Sequence, residues 1–454
     1  MELLKEAVQK FHKTQGVIRI VAHMGTDGIC ATAILLKALQ RLDRPFVVSV
    51  VKQLTPDYLQ ELNREEYSCI FFLDLGSESI MFIQHTFRDK TIFIFDHHEI
   101  GVGDKKGLVH INPLEHGIDG TKEIATGGLV YFFCKLLDEK NKESSYLALV
   151  GAVGDLQENN GFLGLNQEIL NECNTLKVKE GIKAYGASTR SLVSFLEYSV
   201  DPFIPGITGD RQKVVQLLRE LELVSLRETK LIDLDEVSLK KLTSAIVSRC
   251  KVDKARVNAR GKNYLIPLKK GEVMDIREFS TLLNAASRLH HPSKGIALCL
   301  HEDLHKDKIL DILFNYELEI INCLNWFYAH YKDKEVVTHG EGFLIVKAEE
   351  HIRDTLIGTI NTVIAMSGIC MPGTLLFFMA HTIEGNSKVS LRMSQYKEEV
   401  NLKELLGSLV EGLNATLGGH SFAAGALISQ DQEEAFIIRV QEVLSKTIIE
   451  EKIK

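Results

Sequence analysis

Seven side chains suited to holding a cation recur where apolar runs end. "VIRIVAH" (17–23) ends in His23, and Asp27 follows in "HMGTDG". "CIFFLD" (69–74) ends in Asp74. "TIFIFD" (91–96) ends in Asp96 and passes directly into His97 and His98, and "LVGAVGD" closes a helical run with Asp155. A single Asp in such a place usually starts a turn or caps a helix. Three adjacent polar side chains after an apolar run must instead be hydrated or bound. Four segments that each deliver carboxylate or imidazole groups predict a divalent-metal site. Oxygen and nitrogen donors without thiolate suit Mn²⁺, with Mg²⁺, Fe²⁺ or Co²⁺ as alternatives. Several Asp residues along one rim repel each other unless cations lie between them. Two ions bridged by one Asp suit in-line displacement at phosphorus. One position breaks the pattern: Gly25, between His23 and Asp27, offers no ligand where a carboxylate would most easily add one.

These groups need a frame. "VIRIVAH", "FVVSVV" (46–51), "CIFFLD", "TIFIFD" and "LVHIN" (108–112) read as short buried strands, and "GICATAILLKALQRL" (28–42) as a helix between the first two. Helical segments lie between several of the others, which is βαβ logic: a parallel sheet with helices on both faces. Ligands of such sheets sit beyond the carboxyl ends of the strands. "MELLKEAVQKFHK" carries Leu4, Val8 and Phe11 on one helical face and, with early acids and no apolar h-region, is not a signal peptide. Residues from about 190 to 275 read as helices with charged connections. A mixed α/β pattern returns from about 276, with "REFSTLLNAASRL", "GIALCL", "GFLIVK", "TLLFFMA" and "KVSLRMS" as helix and strand candidates. The expected division is 1–190, 191–275 and 276–454.

Composition narrows the class. The 454 residues are 45% hydrophobic and 25% charged, as in an ordinary globular protein of two or three domains. Eight Cys without a CxxC pair fit a reducing cytoplasm and argue against a disulfide framework or a zinc ribbon. The most apolar window, residues 360–380, is broken by "MPG" and reads as helix, turn and strand rather than a membrane span. A net charge of −8 does not advertise nucleic-acid binding over the whole surface, although a local groove is compatible with it. The basic run "SRCKVDKARVNARGK" (248–262) reads first as a solvated face.

"HMGTDG", "FLDLG", "FDHHE" and "GAVGD" resemble the four motifs of the DHH phosphoesterases, and "NATLGGHSFAAGAL" (414–427) resembles the GGH signature of the DHH-associated C-terminal domain. "HINPLEHGIDG" and "DIREFSTLLNAASRL" further resemble the archaeal RecJ-like, helicase-associated branch. The resemblance implies an α/β fold: a parallel-sheet DHH domain, a helical middle region and a smaller α/β C-terminal domain, with the active-site cleft between the two α/β domains. It implies a cytoplasmic, Mn²⁺-dependent exonuclease with a two-metal site. Asp74 would bridge, Asp27, His97 and Asp155 would complete one ion's shell, and His23 would serve the other. Asp96 would hold an imidazole, and His98 would contact the scissile phosphate. Gly418 and Gly419 would let backbone approach the nucleic acid, His420 would donate to a phosphate or assist the chemistry, and Arg392 is a candidate phosphate contact against the alternative of an exposed strand Arg. Single-stranded DNA or RNA, a GINS-like or helicase partner, and a homo-oligomer are the implied partners. The family usually has Asp where this chain has Gly25. The alternatives are a helicase-associated scaffold with an impaired site, and a phosphoesterase of short oligonucleotides or cyclic dinucleotides.

Overall fold

The computed structural model describes residues 2–158, 161–200, 203–204, 206–250, 260–267, 273–300, 306–395 and 400–453. The chain divides into two compact units. The first is Met1–Lys183 with Arg260–Phe314, and the second is Ala184–Ala259 with Asn315–Lys454.

In the first unit the order is α1 (Glu2–His12), β1 (Ile18–His23), α2 (Thr26–Arg41), β2 (Phe46–Val51), α3 (Pro56–Asn63), β3 (Cys69–Leu73) and α4 (Ile80–Thr86). There follow β4 (Thr91–Phe95), β5 (Leu108–Ile111), α5 (Thr126–Leu137), α6 (Ser145–Gly154), α7 (Gly164–Glu172) and β6 (Lys177–Ile182). Strands β1 to β5 form one parallel sheet in the order β2-β1-β3-β4-β5. Each strand of the expected sheet therefore forms within a residue of its expected bounds. The period of two explains its burial. Ile70, Phe72, Ile92 and Ile94 face one way, against Leu59 and Leu62 of α3 and Ile80 and Ile83 of α4. Phe71, Phe93 and Phe95 face the other way. Phe71 stacks on Phe93 at 4.4 Å, and Phe11 of α1 and Phe133 of α5 pack around them. Truncating one of these rings costs roughly 3–5 kcal/mol. The strand order reverses between β1 and β3, so the loops leaving these strands part to opposite faces. That divergence opens a crevice at the carboxyl ends of β1 and β3.

The second unit begins with α8 (Leu192–Glu197), α9 (Arg211–Glu220) and α10 (Glu236–Cys250), in accord with the helical pattern of that stretch. The chain then returns to the first unit for β7 (Arg260–Pro267), β8 (Val273–Asp275), α11 (Ile276–Arg288), α12 (Pro292–Leu300) and the start of α13 (Lys306–His330). It continues in the second unit with β9 (Val337–Gly340), β10 (Phe343–Glu349), α14 (Ile357–Met366), β11 (Leu375–His381) and β12 (Asn386–Met393). The last elements are α15 (Leu402–Val410), β13 (Ala415–His420), β14 (Ala423–Ser429) and α16 (Glu433–Ile453). Their sheet runs β13-β14-β12-β11-β10-β9, parallel only between β10 and β11, over a core that includes Ile345, Phe377, Leu391, Leu406 and Phe436.

The partition differs from the expected break at 275. Residues 276–314 pack with the first unit because α11 is strongly amphipathic, burying Ile276, Phe279, Leu282 and Leu283, and it lies against α2 and α6. Strands β6, β7 and β8 pair antiparallel in that unit. The polar "KVKEGI" of β6 gave no strand signal. Residues 251–259 of the basic run lie outside the described residues. The apolar window at 360–380 is the end of α14, a turn and β11, and among the described residues no helix is long and apolar enough to cross a membrane.

Candidate metal centre

The crevice collects the side chains that end the strands. His23 closes β1, Asp27 sits in the first turn of α2, Asp74 follows β3, Asp96 follows β4, and Asp155 follows α6. Asp27, Asp74, His97 and Asp155 each offer one donor atom, all within 4.8 Å of one another, and Asp74, His97 and His98 form a second such group. These are the oxygen and nitrogen donors of a divalent-cation site.

His97 shows how the group is poised. Its Nδ1 donates to the Gly120 carbonyl at 2.6 Å, which leaves Nε2 turned toward the carboxylates. Nε2 is buried without a hydrogen-bond partner among the described residues, 3.4 Å from Asp74 Oδ1 and 3.3 Å from Asp155 Oδ2. Burial alone would push His97 down, but Asp74, Asp155 and Asp27 around it raise it well above the ordinary histidine value. The carboxylates diverge. Burial, then the charges of Asp74 and Asp155, pushes Asp27 well up. Burial also opposes ionisation of Asp74, yet the bond from His23 and the imidazoles of His97 and His98 close beside it hold it below the usual carboxylate range. Asp155 is pushed up to about 6, by desolvation first, with His97 opposing and the Asp74 charge adding. Three carboxylates this close demand positive charge, whether a proton on His97 or a cation among them. The orphaned Nε2 and the donor set fit a divalent ion.

Asp27 is fixed by backbone. Its Oδ2 accepts from Thr126 N at 2.7 Å and its Oδ1 from Gly127 N at 2.9 Å, at the amino end of α5. That placement needs room. A Cβ on Gly127 would stand 3.0 Å from Asp27 Oδ1, and one on Gly151 would overlap that oxygen outright. A Cβ on Gly154 would lie 2.7 Å from Thr26 Cβ. The glycines of "GAVGD" thus let α6 approach the loop that carries Asp27. Gly151→Ala should displace Asp27 and weaken Mn²⁺ binding at least tenfold in calorimetry, with the far-ultraviolet circular dichroism unchanged.

Asp74 adopts φ +63°, the left-handed region that Asp tolerates better than most residues, and its amide donates to Phe95 O at 2.9 Å. Its Oδ2 lies 3.0 Å from His23 Nδ1. His23 belongs to neither group of three or more donors. A Cβ at Gly25 would fall 3.1 Å from His23 Nδ1 and 3.7 Å from Asp74 Oδ2, so position 25 faces this pair directly.

Asp96 belongs to neither donor group and instead organises the histidines. Its Oδ1 accepts from His98 Nδ1 at 2.7 Å and from the amides of His97 and His98, and its Oδ2 accepts from Ser77 N at 2.8 Å. Burial would lower His98, but the bond to Asp96 lifts it to about 9. Ser77 Oγ meets His110 Nε2 at 2.9 Å and accepts from Asn112 Nδ2, which also donates to the His98 carbonyl. His110 continues to Glu115.

Three family models match this chain: the DHH family N-terminal domain over residues 17–153, the DHH-CID domain over 184–260 and the DHHA1 domain over 365–446. The chain belongs to the DHH family. An uncharacterized protein of Methanocaldococcus jannaschii is 27% identical over 462 residues, spanning 98% of both chains. Among solved structures, CDC45 from Entamoeba histolytica shares the fold at TM-score 0.65 and 10% identity, over 97% of this chain and 98% of that one. RecJ from Thermus thermophilus, in complex with Mn²⁺, superposes at TM-score 0.61 and 18% identity, over 98% of this chain and 55% of that one. The DHH chain therefore spans little more than half the length of that RecJ.

Within the DHH domain, the segment "HINPLEHGIDG" supplies His110, Asn112, Glu115 and the Gly120 carbonyl that accepts from His97. Gln157 Nε2 donates to the same carbonyl at 2.9 Å. Neither Gly120 nor Gln157, nor the amides of Thr126 and Gly127, was anticipated. A carbonyl or amide contact carries no side-chain signature, although "TGG" at a helix start hints at one. The remaining predicted residues lie in the second unit. Gly418 and Gly419 are exposed on β13, with open space before Gly418. Gly419, at φ +112°, has no room for a Cβ beside Ala423 O. The side chain of His420 lies outside the described residues. Arg392 bonds Thr362 Oγ1 at 3.0 Å, Leu391 O at 2.8 Å and Ala424 O at 3.4 Å, and Ala424 is the register partner of Gly419. Arg392 and the glycines therefore share one end of the DHHA1 sheet.

Proposed function

We propose that this DHH protein is a metal-dependent phosphodiesterase that trims single-stranded nucleic acid, with one strong cation site and one weakened by Gly25. The observation that carries this reading is the buried, unpartnered Nε2 of His97 facing Asp27, Asp74 and Asp155. Asp27, Asp74, His97 and Asp155 would hold the strong ion, and His23 with Asp74 the weaker one. Such an ion supplies Lewis acidity to the phosphoryl group and lowers the pKa of water. The chain's own residues do the rest. Gly120 O fixes the His97 tautomer, and Asp96 keeps His98 protonated and aimed as a hydrogen-bond donor for a phosphate. Gly418, Gly419, His420 and Arg392 would contact the nucleic-acid backbone. Mn²⁺ is the expected ion, and a replication or repair helicase assembly the expected setting. The Mn²⁺-bound RecJ that shares this fold supports the reading.

Gly25 and the CDC45-like fold favour a second reading, a scaffold with little hydrolysis. One experiment separates the two: end-labelled single strands of DNA and RNA incubated with the protein and Mn²⁺. Stepwise shortening that EDTA stops supports the enzyme. Intact strands at stoichiometric protein, with tight binding to a helicase component, support the scaffold. Cation binding has its own readout. At 1,000 times its Kd, Mn²⁺ should stabilise the fold by about 4 kcal/mol, a rise in Tm of roughly 10 °C for a unit of this size.

A further inference from the structure

A second feature of the first unit lies away from all of this chemistry. A surface pocket of about 580 Å³ opens where β4 and β5 begin, lined in part by Met81, Phe87, Arg88, Lys90, Lys106 and Leu108. Lys90 precedes β4 and Asp96 follows it, so five strand residues, about 17 Å, separate the pocket from the metal rim.

The pocket has a built wall. The Gly101 amide donates to Ser77 O at 2.9 Å. A Cβ on Gly103 would stand 2.9 Å from Ile80 Cγ2 and 3.0 Å from Met81 N, so only glycine lets this loop press against the first turn of α4. The floor is apolar, from Phe87, Leu108 and Met81. Met81 is 41% exposed, and its neighbour Phe82 is 47% exposed. The rim is basic: Arg88 and Lys106 are exposed, and neither side chain has an ion-pair partner among the described residues. Asp104 is the acid of the lining, and its Oδ1 is engaged by the Lys106 amide at 3.1 Å. On a chain of net charge −8, a basic rim around an apolar floor is a local reversal of sign.

We propose that this pocket docks an acidic peptide segment of a partner protein. One apolar side chain would seat on Met81 and Leu108, with carboxylates on either side facing Arg88 and Lys106. Methionine suits such a contact because its thioether adapts to the shape it meets. Nucleic acid fits the pocket less well, because the Phe87 ring is buried and presents no face on which a base could stack. Docking here leaves the metal rim open, and the proposal does not depend on whether that rim hydrolyses phosphodiesters.

The test is selection of a displayed 12-residue random peptide library on the full-length protein. The recovered peptides are then titrated by fluorescence anisotropy against the parent and against Arg88→Glu/Lys106→Glu. The expected result is Asp or Glu flanking an apolar residue, and binding that weakens at least tenfold in the double variant and again when salt rises from 0.05 to 0.5 M. The variant should keep the parent's Mn²⁺ affinity and Tm, since both substituted side chains are exposed. Peptides without acidic enrichment, equal binding to the variant, no recovery above background, or displacement of peptide by a thymidine oligomer at lower concentration would each overturn the proposal.

Discussion

Gly25→Asp should give the protein a second tightly bound Mn²⁺ and raise its rate of strand hydrolysis at least tenfold, equivalent to about 1.4 kcal/mol in the barrier. Gly25 has φ −139° and ψ 170°, extended backbone open to any residue, and it caps α2, where Asp is favoured. The new Cβ would stand beside His23 Nδ1 and Asp74 Oδ2, which brings the carboxylate to the pair that now lacks a third ligand. His23 must yield by a few tenths of an ångström at 3.1 Å, and its side chain, 37% exposed, is free to do so. Calorimetry should show the change from one tight equivalent to two. Without metal, the variant should be less stable than the metal-free parent, because a fourth carboxylate joins three. A stoichiometry that stays at one, with no gain in rate, would mean that position 25 does not face a cation site.

Asp74→Asn should abolish hydrolysis, by at least a thousandfold or about 4 kcal/mol, and weaken Mn²⁺ binding at least a hundredfold. Asn is nearly isosteric and tolerates the left-handed φ of +63°, so the turn after β3 and the amide bond to Phe95 O survive. What disappears is the charge that His23 and His97 both face. In the metal-free protein the same change should lower Tm, because a carboxylate held below its usual range by His23 and His97 stabilises the fold at neutral pH, and its loss leaves those imidazoles without that charge. Residual hydrolysis within tenfold of the parent would place the reacting centre elsewhere.

The order of residues was enough to read the strands and what stands at their ends. Apolar runs of four to six residues, three of them closed by Asp or His, register as strands because burial and turn chemistry are local. A parallel sheet then carries their ends to one rim. Gly25 was legible for the same reason: one residue in a short turn either offers a carboxylate or does not. What holds those ligands still emerged only in the folded chain. Asp27 is gripped by amides a hundred residues away, His97 by the Gly120 carbonyl, and Asp27 is given its space by the missing Cβ of Gly151. Folding also settled that α11 packs with the first unit, where the Thr26 hydroxyl donates to Ser280 O beside the ligand loop. Backbone groups are the same in every residue, and an absent side chain leaves no pattern, so contacts made by amides, carbonyls and glycines become visible only once the chain has brought distant segments together.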